Sequence, residues 1–328
     1  MAYGTFTYNK VQIGRETTPG TSVNATKIWR GKAAMIEDDR NIKVVEEEVG
    51  LLVPAERSYI ASVIGHMNFP QTELTFEQFP HILEAGIETV TPSGSGTYTY
   101  AYAFPTDTTQ PAIKTYTIEA GNALVSGDQH ELAYSFVREF ELNGQKQEAW
   151  MLTSGWDGRQ ANQASMTSLT TLEAVEEANF QNTSLFIDAT GGTVGTTQKT
   201  GILLSARLRF RTGLVPLFTA DGQLYFVAYK RTRPSLDFSI KMELESGSTV
   251  AAERAIYKSQ AVRLFKLGIT GSSSKAIDIR WAGKYDSISD YENDDDNTVV
   301  TFNGHGVYSQ TDSLFAEIDV INTLSTLA

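Results

Sequence analysis

Residues 203–213 read LLSARLRFRTG, and from Ala206 onward apolar and basic side chains alternate strictly. One face of an extended chain would carry Ala206, Leu208 and Phe210, and the opposite face would carry Arg207, Arg209 and Arg211. Because successive side chains of a β-strand point to opposite faces, the alternation predicts a half-buried antiparallel strand. The arginines form a candidate basic stripe that binds an anion or lies between subunits, or they pair with carboxylates of a neighbouring strand, which we favour.

The same alternation recurs along most of the chain. Residues 235–244 (SLDFSIKMEL) predict a second half-buried strand, with Leu236, Phe238, Ile240, Met242 and Leu244 pointing inward. Further strand-length runs bounded by turn residues occupy 114–119, 135–142, 261–268, 276–282, 298–302 and 314–321. Many strands joined by short turns predict an all-β fold, an antiparallel β-sandwich or barrel, forming a single composite domain over residues 1–328.

Helical patterns are few. Residues 78–85 (QFPHILEA) place a proline in a first helical turn and are followed by Gly86, so they predict one short flanking helix. Residues 167–178 (TSLTTLEAVEEA) are a second candidate helix, although the segment is polar enough to be a surface loop.

Composition excludes several classes of function. The chain of 328 residues has no cysteine, so disulfides, thiolate nucleophiles and iron–sulfur clusters are ruled out. A formal charge of −12 argues against an extended nucleic-acid grip, which needs clustered cations. No secretory signal or run of about 20 apolar residues is present, so we expect a soluble protein made in a cytoplasm, without membrane contact.

Three segments interrupt the strand pattern. Residues 37–54 predict a long charged loop, a candidate stacking surface that contains Glu37, Asp38, Asp39, Arg40, Glu46, Glu47 and Glu48. Residues 189–201 (ATGGTVGTTQKTG) predict a glycine and threonine linker, and a diverged duplication across it stays open. Residues 287–297 predict an acidic tip, which contains Asp290, Glu292, Asp294, Asp295 and Asp296.

No catalytic, cofactor or metal site is predicted. The acidic tip resembles a calcium loop, but Asp295 stands where such a loop needs glycine, and Thr301 stands where it needs a bidentate glutamate. Ser272 and Lys275 give an S-x-x-K pattern, and residues 199–201 give K-T-G, in the reverse of the order that serine acyl enzymes use. We therefore expect a protein that is not an enzyme.

Several stretches together resemble one protein family. They are GRETTPGTSVNATKIWRG from Gly14, YTYAYAFP from Tyr98, SFVREFELNG from Ser135, SLFIDATGGTVGTT from Ser184 and RPSLDFSIKMELE from Arg233. In this order, and over most of the chain, they resemble the major tail tube proteins of long-tailed, non-contractile, siphovirus-like bacteriophages.

The resemblance implies a structural virion protein of the phage tail, made in the host cytoplasm. Its copies would form rings, usually hexameric, that stack into a hollow tube. The tube would hold the tape measure protein, meet tail terminator and tail-tip proteins, and pass double-stranded DNA without specific binding. Ring-to-ring contacts would come from an N-terminal arm (1–11), the loop 37–54 and a C-terminal arm (316–328). The length of the chain also allows an added domain, or a threefold ring of duplicated subunits.

Acidity fits such a conduit, because a cationic wall would trap DNA and an acidic wall repels it. The acidic tip is therefore a candidate lumen loop. The alternative function is a virion decoration or adhesin-type module that binds carbohydrate through exposed aromatics such as Tyr98, Tyr100 and Tyr102. These alternating tyrosines are equally consistent with cross-strand packing.

Overall fold

A computed structural model describes residues 5–54, 56–245 and 249–327, and these residues form an antiparallel β-structure with two α-helices. The predicted all-β fold is confirmed. The strand that begins at Leu203 buries Ala206, Leu208 and Phe210 on one face. Its opposite face carries the three arginines toward solvent.

The described residues up to 163 form ten strands and one α-helix. They are β1 (Asn9–Arg15), β2 (Lys27–Ile28), β3 (Glu37–Val44), β4 (Ser58–Glu73), α1 (Phe79–Gly86), β5 (Ser93–Ser95), β6 (Thr97–Ala103), β7 (Tyr116–Asn122), β8 (Gln129–Gln145), β9 (Met151–Gly158) and β10 (Ala161–Gln163).

The second half contains eleven strands and one helix among the described residues. They are β11 (Thr183–Ala189), β12 (Gln198–Lys199), β13 (Leu203–Arg211), β14 (Leu214–Leu217), β15 (Ala228–Arg231), β16 (Ser235–Glu243), α2 (Thr249–Ser259), β17 (Arg263–Thr270), β18 (Ala276–Ile288), β19 (Glu292–Asp294), β20 (Asn297–Gly306) and β21 (Ala316–Asn322).

The two halves share one strand topology. The antiparallel pairs of the first half are β1–β2, β1–β7, β7–β8, β8–β9, β9–β4 and β4–β3. The second half repeats them in chain order as β11–β12, β11–β17, β17–β18, β18–β20, β20–β16 and β16–β13. The helix lies in the same place, α1 between β4 and β7 and α2 between β16 and β17.

Local details support this duplication. Each half begins with a 3₁₀ turn that starts at a phenylalanine, Phe6–Tyr8 or Phe180–Asn182, and continues into a strand of 7 residues. The register shifts at matching places, between Val137 and Glu139 in β8 and between Tyr285 and Ser287 in β18. The chain is therefore two units of the same topology, unit 1 (residues 9–163) and unit 2 (residues 183–322).

One hydrophobic core joins the two units. Phe140 of β8 stacks on Phe210 of β13 with ring centroids 4.8 Å apart, and these two strands are also paired across the unit boundary. Strand β21 pairs with β6 as a second link. Because the core continues across the β8–β13 and β21–β6 pairs, strands of both units alternate apolar and polar side chains in the same way.

Each helix is fixed by a buried glutamate. Glu84 of α1 accepts hydrogen bonds from Arg15 Nε at 2.7 Å and Arg15 Nη2 at 2.9 Å, and it also accepts one from the Tyr116 hydroxyl. Burial alone would lower the pKa of Arg15, but the hydrogen bonds with Glu84 outweigh it and leave that pKa raised. Burial and the neighbouring Glu84 carboxylate raise the pKa of Tyr116, which stays protonated as a donor.

Unit 2 repeats this arrangement with other residues. Glu253 of α2 accepts from Arg263 Nε at 3.0 Å, from Arg263 Nη2, and from the Tyr285 hydroxyl at 3.0 Å. Burial, then the nearby Glu253 charge, raises the pKa of Tyr285. A buried carboxylate bound by one guanidinium and one phenol thus anchors the helix of each unit.

The predicted short helix is confirmed as α1, and the surface-loop alternative for residues 167–178 is confirmed over the helix. Residues 167–178 contain no helix; they run as a loop in which Thr167 N and Oγ1 both donate to the Glu119 carboxylate. Helix α2 was not predicted, because only Val250 and Glu253 are buried on it and its apolar pattern is short.

The glycine segment 189–201 is not a linker between units. The Asp188 carboxylate accepts hydrogen bonds from the backbone N–H groups of Gly195, Thr196 and Thr197, which orders the loop. These bonds hold the pKa of Asp188 below its usual value although burial opposes them. The chain then returns as β12 and pairs with β11, so the whole segment lies inside unit 2.

Neither predicted arm is a free arm over its whole length. Residues 316–322 are β21, a strand between β18 and β6 with Ala316, Ile318 and Val320 buried. The strand is held because its alternating apolar side chains fill the core. At the N-terminus residues 1–4 lie outside the described part, Phe6 is exposed, and the sheet begins at Asn9. Leu244, expected to point inward, is exposed because β16 ends at Glu243.

Candidate assembly surface

The segment predicted as a long charged loop is largely a β-hairpin. Residues Glu37–Val44 form β3, which pairs with β4 from His66 back to Ser58, so the loop prediction for 37–54 is wrong over 37–44. The strand was missed because charged residues occupy both of its faces. We call residues 37–66 the first hairpin.

Apolar side chains are exposed along this hairpin. Ile42 is 59% exposed and Val44 is 68% exposed, although both lie in a strand. Beyond the strand, the apolar residues of the turn are exposed as well: Val49, Leu51, Leu52 and Val53. A group of exposed apolar side chains rimmed by charges marks an interaction site.

The charged residues named for this segment form the rim. Arg40 pairs with Asp38 at 2.7 Å, and Arg57 pairs with Glu47 at 2.7 Å. Glu37, Asp39, Glu46 and Glu48 are exposed. Such exposed pairs contribute little to stability. The hairpin meets the segment between β14 and β15 through a backbone hydrogen bond from Val63 N to Leu224 O at 2.9 Å, and its charged rim stays exposed to solvent.

The outer edge of β3 is a further association feature. Strand β3 pairs with β4 on one side, and no strand of the described ranges pairs with it on the other. An edge with unpaired N–H and C=O groups is a template for another strand. The hairpin therefore offers both apolar side chains and backbone groups to a partner.

The basic stripe is neutralised within the chain. Arg207 donates to both Glu141 oxygens at 2.7 Å, Arg209 Nη2 lies 2.7 Å from Glu139 Oε2, and Arg211 Nη1 lies 3.2 Å from Asp237 Oδ2. The hydrogen bonds that Arg207 donates to Glu141 raise the pKa of Arg207. The cross-strand interpretation of the stripe is confirmed, and these guanidinium groups already have partners in the absence of another subunit.

The acidic tip is a short hairpin, so the expectation of a loop needs correction. Strand β19 pairs with β20, and Asp295 and Asp296 form the turn with φ values of 53° and 65°. Asp294 lies 2.7 Å from Lys146 Nζ and 3.0 Å from Lys241 Nζ. The hydrogen bonds from these lysines lower the pKa of Asp294. Asp290 and Asp296 are exposed, and neither has an ion-pair partner among the described residues.

The other candidate functional residues are buried or bound to neighbouring side chains. The tyrosines offered as carbohydrate-binding aromatics are not exposed, since Tyr100 and Tyr102 are buried and Tyr98 is half-buried. Ser272 Oγ donates to Glu176, and Lys275 Nζ lies 2.7 Å from Glu77. Hydrogen bonds from Ser272 come first among the contacts that lower the pKa of Glu176 to about 2. The S-x-x-K pattern is thus a salt-bridged turn.

Within residues 5–54, 56–245 and 249–327, no group of three or more His, Cys, Asp or Glu side chains could hold a metal ion. No helix in these ranges is long and apolar enough to cross a membrane. The chain matches no family model, and no curated protein is similar enough to it to count as a match.

Proposed function

We propose that this protein is the subunit of a self-assembling tube, the tail tube of a long-tailed, non-contractile bacteriophage. The observation that carries the proposal is the first hairpin, where six exposed aliphatic residues accompany a strand edge that pairs with no strand of the described residues. Such a surface is stable in water when other copies of the chain cover it. The tube, the virion and the passage of DNA are proposed because the sequence resembles the tail tube family.

Rings of this subunit would stack into a conduit for double-stranded DNA, with the tape measure protein inside during assembly and terminator and tip proteins at the ends. The duplicated topology favours a ring of three chains over the hexamer that the resemblance implies. Three chains of two equivalent units present six units around the bore, and a head-to-tail contact that closes gives such a ring.

Negative-stain electron microscopy of the purified protein tests the proposal, because a conduit subunit should give rings or stacked tubes. Light scattering measures the same equilibrium in solution. A strict monomer at high concentration, with no rings in the presence of the other tail components, would contradict the proposal.

Limited proteolysis gives a first prediction. Trypsin should cut free subunits after Lys43 and Arg57, which flank the apolar turn of the first hairpin and are exposed. The same bonds should resist cleavage in tubes, because the hairpin is ordered and covered there. Gel electrophoresis and mass spectrometry of the fragments report the rates, and equal rates in both states would exclude an interface role. Deletion of 45–56 should preserve folding and abolish assembly.

DNA binding gives a second prediction. Assembled protein should show no measurable affinity for duplex DNA at physiological salt, because the chain carries a net charge of −12 and its stripe arginines are paired. Fluorescence anisotropy of a labelled duplex measures this. The variant Asp296→Lys should form rings and bind DNA most strongly at low salt if the acidic hairpin lines the bore. Tight, salt-sensitive binding by the unmodified tube would overturn the repulsive lumen.

A further inference from the structure

We infer that the first hairpin of one copy docks on unit 2 of another copy, in the way that a second hairpin of the same chain docks on unit 1. The second hairpin consists of β13 and β14 followed by β15 and β16, residues 203–243. It is the counterpart of β3–β4 in the duplicated topology. This inference deepens the proposed function and rests on it for the closure of a ring.

Contacts inside the chain show how such a hairpin is received. Leu214 and Phe226 of the second hairpin are buried in a cluster with Ile113, Tyr134 and Phe136 of unit 1. The backbone also contributes, since Val63 N donates to Leu224 O at 2.9 Å. Unit 1 therefore covers Leu214 and Phe226, two of the apolar residues that the second hairpin carries beyond its sheet.

The strand edges of the two units differ in the same way: the edge of unit 1 is paired with the second hairpin, and the matching edge of unit 2 is open in the described part of the chain. Between Glu139 and Asn143, β8 has β9 on one side and β13 of the second hairpin on the other. Its counterpart β18 has β20 on one side from Ser287 onward, and no strand in the described part of the chain pairs with its other side there. The side chain of Gln260 donates to the Tyr285 carbonyl, so the open edge begins just after that residue.

Among the described residues, unit 2 thus has no counterpart of the hairpin that unit 1 receives, and the first hairpin has no unit that receives it. The two unfilled surfaces correspond through the duplication, which identifies the partner as a second copy of this chain. Because each copy would give its first hairpin to one neighbour and accept another from a different neighbour, the contact is head-to-tail.

The register of the new pairing can be read from the ladders. Glu139 and Ser287 are the first paired residues after the two register shifts, and they pair with Gly155 and Asn303. Those residues pair in turn with Asn68 of β4 and Ser239 of β16.

In β4, Ile64 lies four residues before Asn68. In β16, Ser235 lies four residues before Ser239. The partners of Ile64 and Ser235 in the hairpins are Asp39 and Arg211. Arg211 faces Glu139 within the chain, so Asp39 of one copy should face Ser287 of the next.

The side chains suit this register. Continuing it places Glu37 opposite Ser289, so two of the hairpin acids meet serines and not carboxylates. It also places Met35, which is 40% exposed, opposite Tyr291, which is 59% exposed. Apolar residues exposed in the single chain would cover each other, which is favourable in proportion to the area removed from water.

Disulfide trapping tests the inference, and the chain has no cysteine of its own to interfere. Asp39→Cys and Ser287→Cys variants, made separately and mixed, should form a covalent dimer on mild oxidation, because facing residues of antiparallel strands lie about 4.5–5.5 Å apart at Cα. The matched control replaces Asp39→Cys by Lys43→Cys, four residues along the same strand. That site lies about 13 Å further along the edge at 3.3–3.4 Å per residue and should not cross-link.

With both cysteines in one chain, exhaustive oxidation should end in a closed covalent ring, whose mass counts the chains. Rings or tubes without the Asp39–Ser287 cross-link, or with equal cross-linking of the control, would overturn the docking and leave the tube proposal standing. A specific cross-link without rings or tubes would support the docking and contradict the tube. Neither cross-link nor assembly would overturn both.

Discussion

Replacing Glu253 by glutamine is expected to lower the free energy of unfolding by about 3–5 kcal/mol, because the change removes the charged carboxylate that binds the largely buried Arg263 guanidinium. Glu253 is buried, and the Arg263 side chain is only 14% exposed, so water cannot replace the lost carboxylate. The Tyr285 hydroxyl loses its charged acceptor at the same time. Urea denaturation of the unassembled protein, followed by tryptophan fluorescence, measures the change.

Two further variants serve as an equivalent and as a control for Glu253→Gln. Glu84→Gln should destabilise unit 1 in the same way, since Arg15 and Tyr116 surround that carboxylate as Arg263 and Tyr285 surround Glu253. Glu141→Gln breaks an ion pair of similar length with Arg207, whose side chain is 54% exposed, and should cost no more than about 1 kcal/mol. If Glu253→Gln changes stability no more than Glu141→Gln does, the buried glutamates do not anchor the helices.

Local patterns in the sequence predicted several of the strands but not their arrangement. The alternation in 203–213 and 235–244 predicted β13 and β16 and their buried residues, since side-chain direction in a strand depends on the backbone alone. The alternation also marked 314–321 as a strand, whereas the family resemblance assigned 316–328 to a free arm. The structure agrees with the residues there, because β21 fills the core.

Errors arose where composition and long-range contacts point in different directions. Glycine and threonine in 189–201 suggested a linker, but the Asp188 carboxylate outside that stretch orders it. Charges on both faces of β3 concealed a strand that gains its order from β4, more than 10 residues away in sequence. The duplication is visible in the strand pairing and not in the sequence, because corresponding residues such as Asp39 and Arg211 share neither charge nor size.

Replacing Phe238 by alanine should lower the free energy of unfolding by about 3–5 kcal/mol, as truncation of a buried phenylalanine typically does. Its ring lies in an aromatic cluster, with centroids 5.0 Å from Phe265 and 5.7 Å from Trp281. Gly283 and Gly304 make room for it, since a Cβ at those positions would lie 2.7 Å and 2.4 Å from the ring. Ordered strands surround the ring on these sides, so the space left by alanine should remain a cavity.

Ser239→Ala is the matched control on the same strand. Ser239 is half-buried on the opposite face, and its hydroxyl makes no hydrogen bond to the described residues, so the change should stay within about 0.5 kcal/mol. Urea midpoints of the two variants and the unmodified protein, compared at equal slope, measure the difference. A greater loss for Ser239→Ala than for Phe238→Ala would mean that β16 faces the core with its other side. It would shift the β16–β20 register by one residue, and with it the alignment that places Asp39 opposite Ser287.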